Sequence, residues 1–248
     1  METGKSMLAT LQQRFDAITR GMKSVTRWKP YPNRGRQDED VCEHTVQQTM
    51  LVQLLLVLER EYGNMDGLDG ERLLGCALMH DMGEGLIGDV SWMVKQDPRI
   101  GPLLEEKERE AFDEQIVSAV PEAVGIELRG RFDIQHELDT RAGRFFNASE
   151  FLGYVLRAVF ELQSGDEQLA REVFIHQYFT LLDYGKEFAS IARFCADLAP
   201  IVEPVLLSDA GREYAVLCAA QKHKPEILKR LDAFRKRRNG GAEHDCTL

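Results

Sequence analysis

Apolar residues along this chain recur three and four positions apart and almost nowhere alternate. Over 4–24, Met7, Leu8, Leu11, Phe15 and Ile18 line one face of an expected first helix. A long helix is expected over about 40–62, and Asp69 is placed to cap a third over about 70–82. Gly83, Gly85 and Gly88 then break the pattern, so 83–101 is expected to be irregular or short-helical. A charged helix over about 103–119 runs up to Pro121, and a loop is expected near 121–139. Another helix covers about 141–163, with Leu152, Val155, Leu156 and Val159 as its core face. "QLAREVFIHQYFTLLDYG" and "EFASIARFCADLAPIVEPVLL" predict two more, the second disturbed by Pro200 and Pro204. A last helix spans about 209–236. "RWKPYPNRGRQDED" (27–40) is a loop by its prolines and glycine, and the tail after 236 turns polar and glycine-rich, the composition of a disordered end. The fold class expected is all-α.

The length of 248 residues suits one main domain with an appended piece, divided here as 1–207 and 208–248. Apolar residues make up 44%, enough for a sizeable core. The charge of −10 argues against a nucleic acid polymer or an anionic membrane surface as partner. Five cysteines, widely spaced and without a C-x-x-C pair, point to free thiols in a reducing compartment. The longest apolar run, "MLVQLLLVL" (50–58), is too short for a bilayer. Together these favour a cytoplasmic protein.

The stretch "ALMHDMGEGLIGD" (77–89) puts His80, Asp81, Glu84 and Asp89 beside an apolar segment. Charged groups there are costly unless they face solvent, pair, or bind a metal. Consecutive helices joined by a short loop are usually antiparallel neighbours. His44, near the start of one, can then approach His80 and Asp81 at the end of the next. Imidazole plus carboxylate is a common ligand set for a divalent transition metal ion, with Co, Mn, Zn, Fe and Ni not distinguished. His136, His176, His223 and His244 receive no ligand role. The run "EEKERE" (105–110) is read as a solvated face, and the cations of "LKRLDAFRKRR" suit a helix C-terminus.

These residues resemble the HD-domain phosphohydrolase superfamily, and within it the bacterial 5′-deoxynucleotidase (YfbR-like) group. That group's pattern is Arg-Trp, then E-H-S/T, H-D-x-x-E, and G-D followed by Lys. Here it is matched by Arg27-Trp28, Glu43-His44-Thr45, His80-Asp81 with Glu84, Gly88-Asp89, and Lys95. The resemblance covers about 10–190 and implies an HD-type helical bundle over 1–207 with an extra C-terminal helix. In the family the last metal ligand is an aspartate opening a late helix. Here "NASEFLGYVLRAVFEL" carries Glu150 at that place, with Asp139 the alternative carboxylate.

The resemblance implies one divalent ion on His44, His80, Asp81 and Glu150. Glu84 is expected to orient or deprotonate the attacking water. Asp89 is expected to position that water, protonate the leaving oxygen or contact the sugar. Arg27 and Lys95 are the phosphate-binding candidates, and Trp28 a wall for sugar or base. The function implied is hydrolysis of deoxynucleoside 5′-monophosphates to deoxynucleoside and phosphate, by a homodimer as in many family members. Two alternatives stand beside it: a deoxynucleoside triphosphate hydrolase of the same fold, and a catalytically weak nucleotide-binding module marked by Glu150.

Overall fold

The computed structural model describes residues 7–27, 39–88, 90, 92–95, 97–220 and 225–240. Among them every regular element is helical, and the one strand-like pairing is an isolated antiparallel bridge between Thr26 and Asp40. The chain forms two compact units, Met1–Ser149 and Glu150–Leu248.

In the first unit α1 (Met7–Ser24) is followed by α2 (Val41–Glu61) and α3 (Gly70–Met79). Asp40 caps α2 by accepting from the Glu43 amide at 2.8 Å, and Glu43 Oε2 accepts from the Asp40 amide in return. Asp69 caps α3 as the sequence predicts, accepting from the amides of Glu71 and Arg72. α2 and α3 pack against each other through fully buried Val52, Leu55, Leu56, Leu73, Cys76 and Ala77. α2 is long and apolar enough to cross a membrane, yet its buried positions include His44, Thr45, Gln48 and Glu59, the pattern of a helix holding a polar site.

Two short helices, α4 (Glu84–Ile87) and α5 (Trp92–Lys95), lead to α6 (Gly101–Gln115). α4 lies against α1 because glycine faces glycine. A Cβ on Gly21 would stand 2.0 Å from the Gly85 carbonyl oxygen. Ile18, Met22, Val41, Met79, Phe112, Ile116 and Phe132 form a core below this contact, with the Phe112 and Phe132 rings stacked at 4.3 Å.

The expected loop at 121–139 is instead a helix, α7 (Glu122–Phe132), followed by a 3₁₀ turn, Asp133–His136. Pro121 ends one element and also pre-sets the entry of the next. Gly125 and Gly130, with Val124 and Ile126 exposed, blur the apolar face that would have announced the helix. α8 (Arg141–Gln163) carries the chain from the first unit into the second.

In the second unit α9 (Glu167–Val173) and α10 (Phe179–Tyr184) flank a π-helical turn, Phe174–Tyr178. The wider turn lets Phe174, Ile175, Gln177 and Tyr178 all be buried. α11 (Ala189–Leu207) runs on through Pro200 and Pro204, so the disturbance expected there is absent from its helical assignment. Each proline costs about 3 kcal/mol in a helix interior. Burial of Ile191, Cys195, Leu198, Val202 and Leu206 along one face offsets that cost. The single last helix expected is two, α12 (Asp209–Ala220) and α13 (Pro225–Gly240), which pack together. Pro225 cannot continue a helix and opens the second instead. The expected disordered tail falls largely outside the described residues.

Candidate metal centre

The site grows from the end of α3 and the start of α2. The His80 amide closes the last turn of α3 on Cys76 O at 2.8 Å, and the Gln135 side chain donates to the His80 carbonyl at 3.2 Å. His80 Nδ1 lies 2.9 Å from the Ala77 carbonyl, so Nδ1 carries the proton and Nε2 is left with its lone pair. The ring is held edge-on against Phe146, centroids 5.3 Å apart. His44 is fixed in the same way: its Nδ1 is 3.4 Å from Glu39 Oε1, which turns Nε2 the other way.

Three donor atoms therefore converge. His44 Nε2 and His80 Nε2 are 3.4 Å apart, and Asp81 Oδ2 is 3.4 Å from the first and 3.2 Å from the second. Ligands about 2.1 Å from one ion stand about 3.4 Å apart in a tetrahedron and about 3.0 Å apart in an octahedron. The observed triangle lies within that range. Two imidazole lone pairs and a carboxylate oxygen facing one point repel each other without a cation. All three residues are buried. The donor set therefore fits a divalent ion, and the antiparallel approach expected from the sequence is what creates it.

The surrounding charges agree. Arg27 Nη1 meets Asp81 Oδ2 at 2.9 Å and lies 3.7 Å from Glu84 Oε2. Lys95 Nζ pairs with Glu84 Oε1 and, at 3.1 Å, with Glu108 Oε1. Glu39, Asp81, Glu84 and Glu108 are four buried carboxylates linked with two cations, Arg27 and Lys95. Among the described residues the carboxylates of this network outnumber its Arg and Lys cations, an arrangement that suits a further cation. Burial pushes the Asp81 carboxyl up, but His80, Arg27 and His44 outweigh it and hold it well below the usual carboxylate range. Burial likewise works against the Lys95 ammonium, and Glu84 and Glu108 overcome it, holding the ammonium well above its ordinary pKa. Burial raises Glu108, and Lys95 partly offsets that rise.

The sequence-predicted residues divide into three groups. His44, His80, Asp81, Glu84, Arg27 and Lys95 come together in the first unit. Glu150 is the first residue of the second unit, half-buried on α8 with Oε1 inaccessible to solvent. Trp28 and Asp89 lie outside the described residues. The neighbouring motif positions build the scaffold. Glu43 completes the cap of α2, Thr45 Oγ1 donates to the Val41 carbonyl at 2.8 Å, and the Gln48 amide donates to Ser149 Oγ at 2.6 Å.

Two residues of this network were missed. Glu39 is placed by the bridge beside α2, where its carbonyl accepts from the Arg27 amide at 2.9 Å. An acid five positions before a helical histidine carries no spacing signal of its own. Glu108 contradicts the solvated face expected of "EEKERE": Glu105, Glu106, Lys107 and Glu110 are exposed, but Glu108 is buried against Lys95. Its position one helical turn before the buried Phe112 was the available clue.

The model of the YfbR-like 5′-deoxynucleotidase family matches residues 14–200. A 5′-deoxynucleotidase of Vibrio vulnificus is 28% identical over 162 residues, covering 64% of this chain and 80% of that protein. An HD-domain phosphohydrolase of Listeria innocua superposes with a TM-score of 0.60 at 20% identity, over 90% of this chain and 99% of that one. A conserved hypothetical protein of Pyrococcus furiosus gives 0.57 at 20% identity, over 78% of this chain and 98% of its own. At these identities the two structures establish the fold, the HD-type helical bundle expected from the sequence.

Proposed function

This chain belongs to the YfbR-like 5′-deoxynucleotidase family, and we propose that it hydrolyses deoxynucleoside 5′-monophosphates to deoxynucleoside and orthophosphate. Membership makes it a metal-dependent hydrolase; the substrate is our inference. The hydrolytic reading is carried by the convergence of His44 Nε2, His80 Nε2 and Asp81 Oδ2, with Glu84 one helical turn beyond Asp81, and the monophosphate substrate by the family match. We assign His44, His80 and Asp81 as ligands, and Glu150 as the fourth on the strength of the family pattern. A divalent ion bound there supplies Lewis acidity, lowering the pKa of water and screening the phosphate.

The chain's own groups do the rest. Glu84 accepts the proton of the attacking water as its oxygen bonds to phosphorus. The bond from phosphorus to the 5′ oxygen breaks, and Asp89, protonated at the start, donates its proton to that oxygen. Arg27, held against Asp81 by an N–H of its guanidinium, is assigned to a phosphate oxygen, which a guanidinium can bind in bidentate fashion. Lys95 adds a point charge beside Glu84. On the family pattern we assign Trp28 as the wall for the nucleoside.

The test is metal analysis of the purified protein, followed by a panel of deoxynucleoside mono- and triphosphates with product identification. Orthophosphate from a monophosphate is expected. Tripolyphosphate from a triphosphate would replace this reading with the triphosphohydrolase, and binding without turnover would replace it with a nucleotide-binding module. Glu84→Gln is expected to lower kcat by about 10²–10⁴-fold with the metal still bound. A near-normal rate would remove Glu84 from its role.

A further inference from the structure

Lys95 is held between two carboxylates from different helices. Glu84 opens α4, and Glu108 lies within α6, 7% exposed, its Oε1 3.1 Å from Nζ. A buried carboxylate on an otherwise exposed acidic stretch is costly, so its position needs a reason. Two glycines build that position. Gly83 rests on the backbone of Glu108, where a Cβ would stand 2.8 Å from the Glu108 carbonyl oxygen. Gly101, at the start of α6, rests on the Lys95 carbonyl, where a Cβ would stand 2.3 Å from the oxygen. One helix is thus pressed against both the turn that delivers Glu84 and the backbone of Lys95.

The ammonium has three N–H donors. Glu84 takes one as a hydrogen bond, and Glu108 holds the ammonium as an ion pair at 3.1 Å, leaving a further N–H for another acceptor. Paired with Glu84 alone, the ammonium would be free to follow that carboxylate and would neutralise it. Shared with Glu108, it is fixed from the side of α6 and its charge is divided.

We infer that Glu108 is a positioning residue: it anchors Lys95 so that the remaining N–H is presented to an oxygen of a phosphate monoester or of orthophosphate. This rests on the phosphohydrolase reading and adds to it a residue that none of the family's motif positions contains. Glu108 touches neither substrate nor metal and acts through Lys95.

Inorganic phosphate is titrated calorimetrically into the Mn²⁺-loaded full chain as wild type, Glu108→Gln, Lys95→Met and the double variant. Glu108→Gln is nearly isosteric and spares the Gly83 contact, and the content of bound Mn²⁺ and the thermal midpoint report whether the fold and metal site persist. Glu108→Gln and Lys95→Met are each expected to weaken phosphate by about 10-fold or more with Mn²⁺ retained. The double variant is expected to bind as Lys95→Met does, because Glu108 has no effect without the lysine. Glu108→Asp, one methylene shorter but charged, is expected to recover part of the loss. The inference falls if the wild type does not bind phosphate, if Glu108→Gln binds it as the wild type does, or if the two losses multiply in the double variant. Should the coupled pattern appear in a protein that hydrolyses no deoxynucleoside monophosphate, the substrate reading fails and the role of Glu108 stands. Hydrolysis without the coupling gives the reverse.

Discussion

Asp81 in the first unit and Asp166 in the second are both buried acids at helix ends, for different reasons. Asp166 accepts from the Leu169 amide at 3.0 Å and caps α9, which accounts for its burial locally. Glu161, also buried, pairs with Arg157 one turn away on the same helix. Asp81 is accounted for mainly by residues far along the chain: Arg27 and His44 reach its Oδ2, as does its neighbour His80. The rest of the second unit's core is largely aromatic and aliphatic, with Phe174, Tyr178 and Phe188 fully buried. Function is visible where buried charge exceeds what local structure uses, and only the first unit shows such an excess among the described residues.

The largest effect should come from removing a donor at the point of convergence. His80→Ala is expected to strip the metal and lower activity by more than the ~100-fold that loss of an outer partner costs. The counterpart in the second unit is His176, on the π-helical turn, whose Nε2 lies 3.4 Å from Tyr214 Oη and 3.7 Å from Cys218 Sγ. His176→Ala should leave the metal content unchanged and cost about 1 kcal/mol of stability. Elemental analysis of the two purified variants checks both. Metal loss from His176→Ala would break the contrast between the units.

A smaller effect separates the two kinds of buried acid. Glu39→Gln removes the carboxylate that orients His44, and metal affinity is expected to fall about 10–100-fold by chelator competition. Asp166→Asn disturbs only a cap, so it should cost at most about 1 kcal/mol in a denaturant melt and leave that affinity alone. Equal metal affinities for wild type and Glu39→Gln would make Glu39 a mere neighbour.

These residues also mark how much was legible beforehand. His44, His80 and Asp81 were found because helical periodicity, a short connection and antiparallel packing are all local rules, and together they decide which helix ends meet. α2, α3 and α8 were legible for the same reason, each with a strong apolar face or a marked cap. α7 was not, because its glycines and exposed Val124 and Ile126 hide the period, and Pro121 reads as a stop when it also opens a helix. Glu39 and Glu108 were not, because their partners are chosen by tertiary placement. A bridge between Thr26 and Asp40 sets one, and glycine contacts made by Gly83 and Gly101 set the other. The split between α12 and α13 was announced by Pro225, but the surrounding helix formers outweighed it in the pattern.

The smallest effect belongs to the second unit's apolar core and is read against pH. Cys195 is 5% exposed on α11, and burial pushes its thiol up to about 12. The folded state therefore prefers the neutral thiol more than the unfolded chain does, and an unfolded cysteine ionises near pH 8.5. That preference contributes in full below the unfolded value and is lost as pH rises toward the folded one. Between pH 8 and pH 10 the wild type should lose about 1 kcal/mol from this group, discounted for partial solvation. Tyr178, whose hydroxyl donates to the Cys195 carbonyl at 3.3 Å, is also raised by burial, and its own contribution starts to be lost only as pH nears the ordinary tyrosine value of about 10, at the top of this window. Cys195→Ala should flatten the slope by this group's share while adding a constant packing cost at every pH, and Cys42, also raised by burial, keeps part of the remainder. Asp81, held well below the usual carboxylate range, stays charged across the same interval and adds no alkaline loss of its own. Denaturant melts of both proteins at pH 8, 9 and 10 give the difference directly. Parallel slopes for wild type and Cys195→Ala would show that the buried thiol is not what the alkaline side titrates.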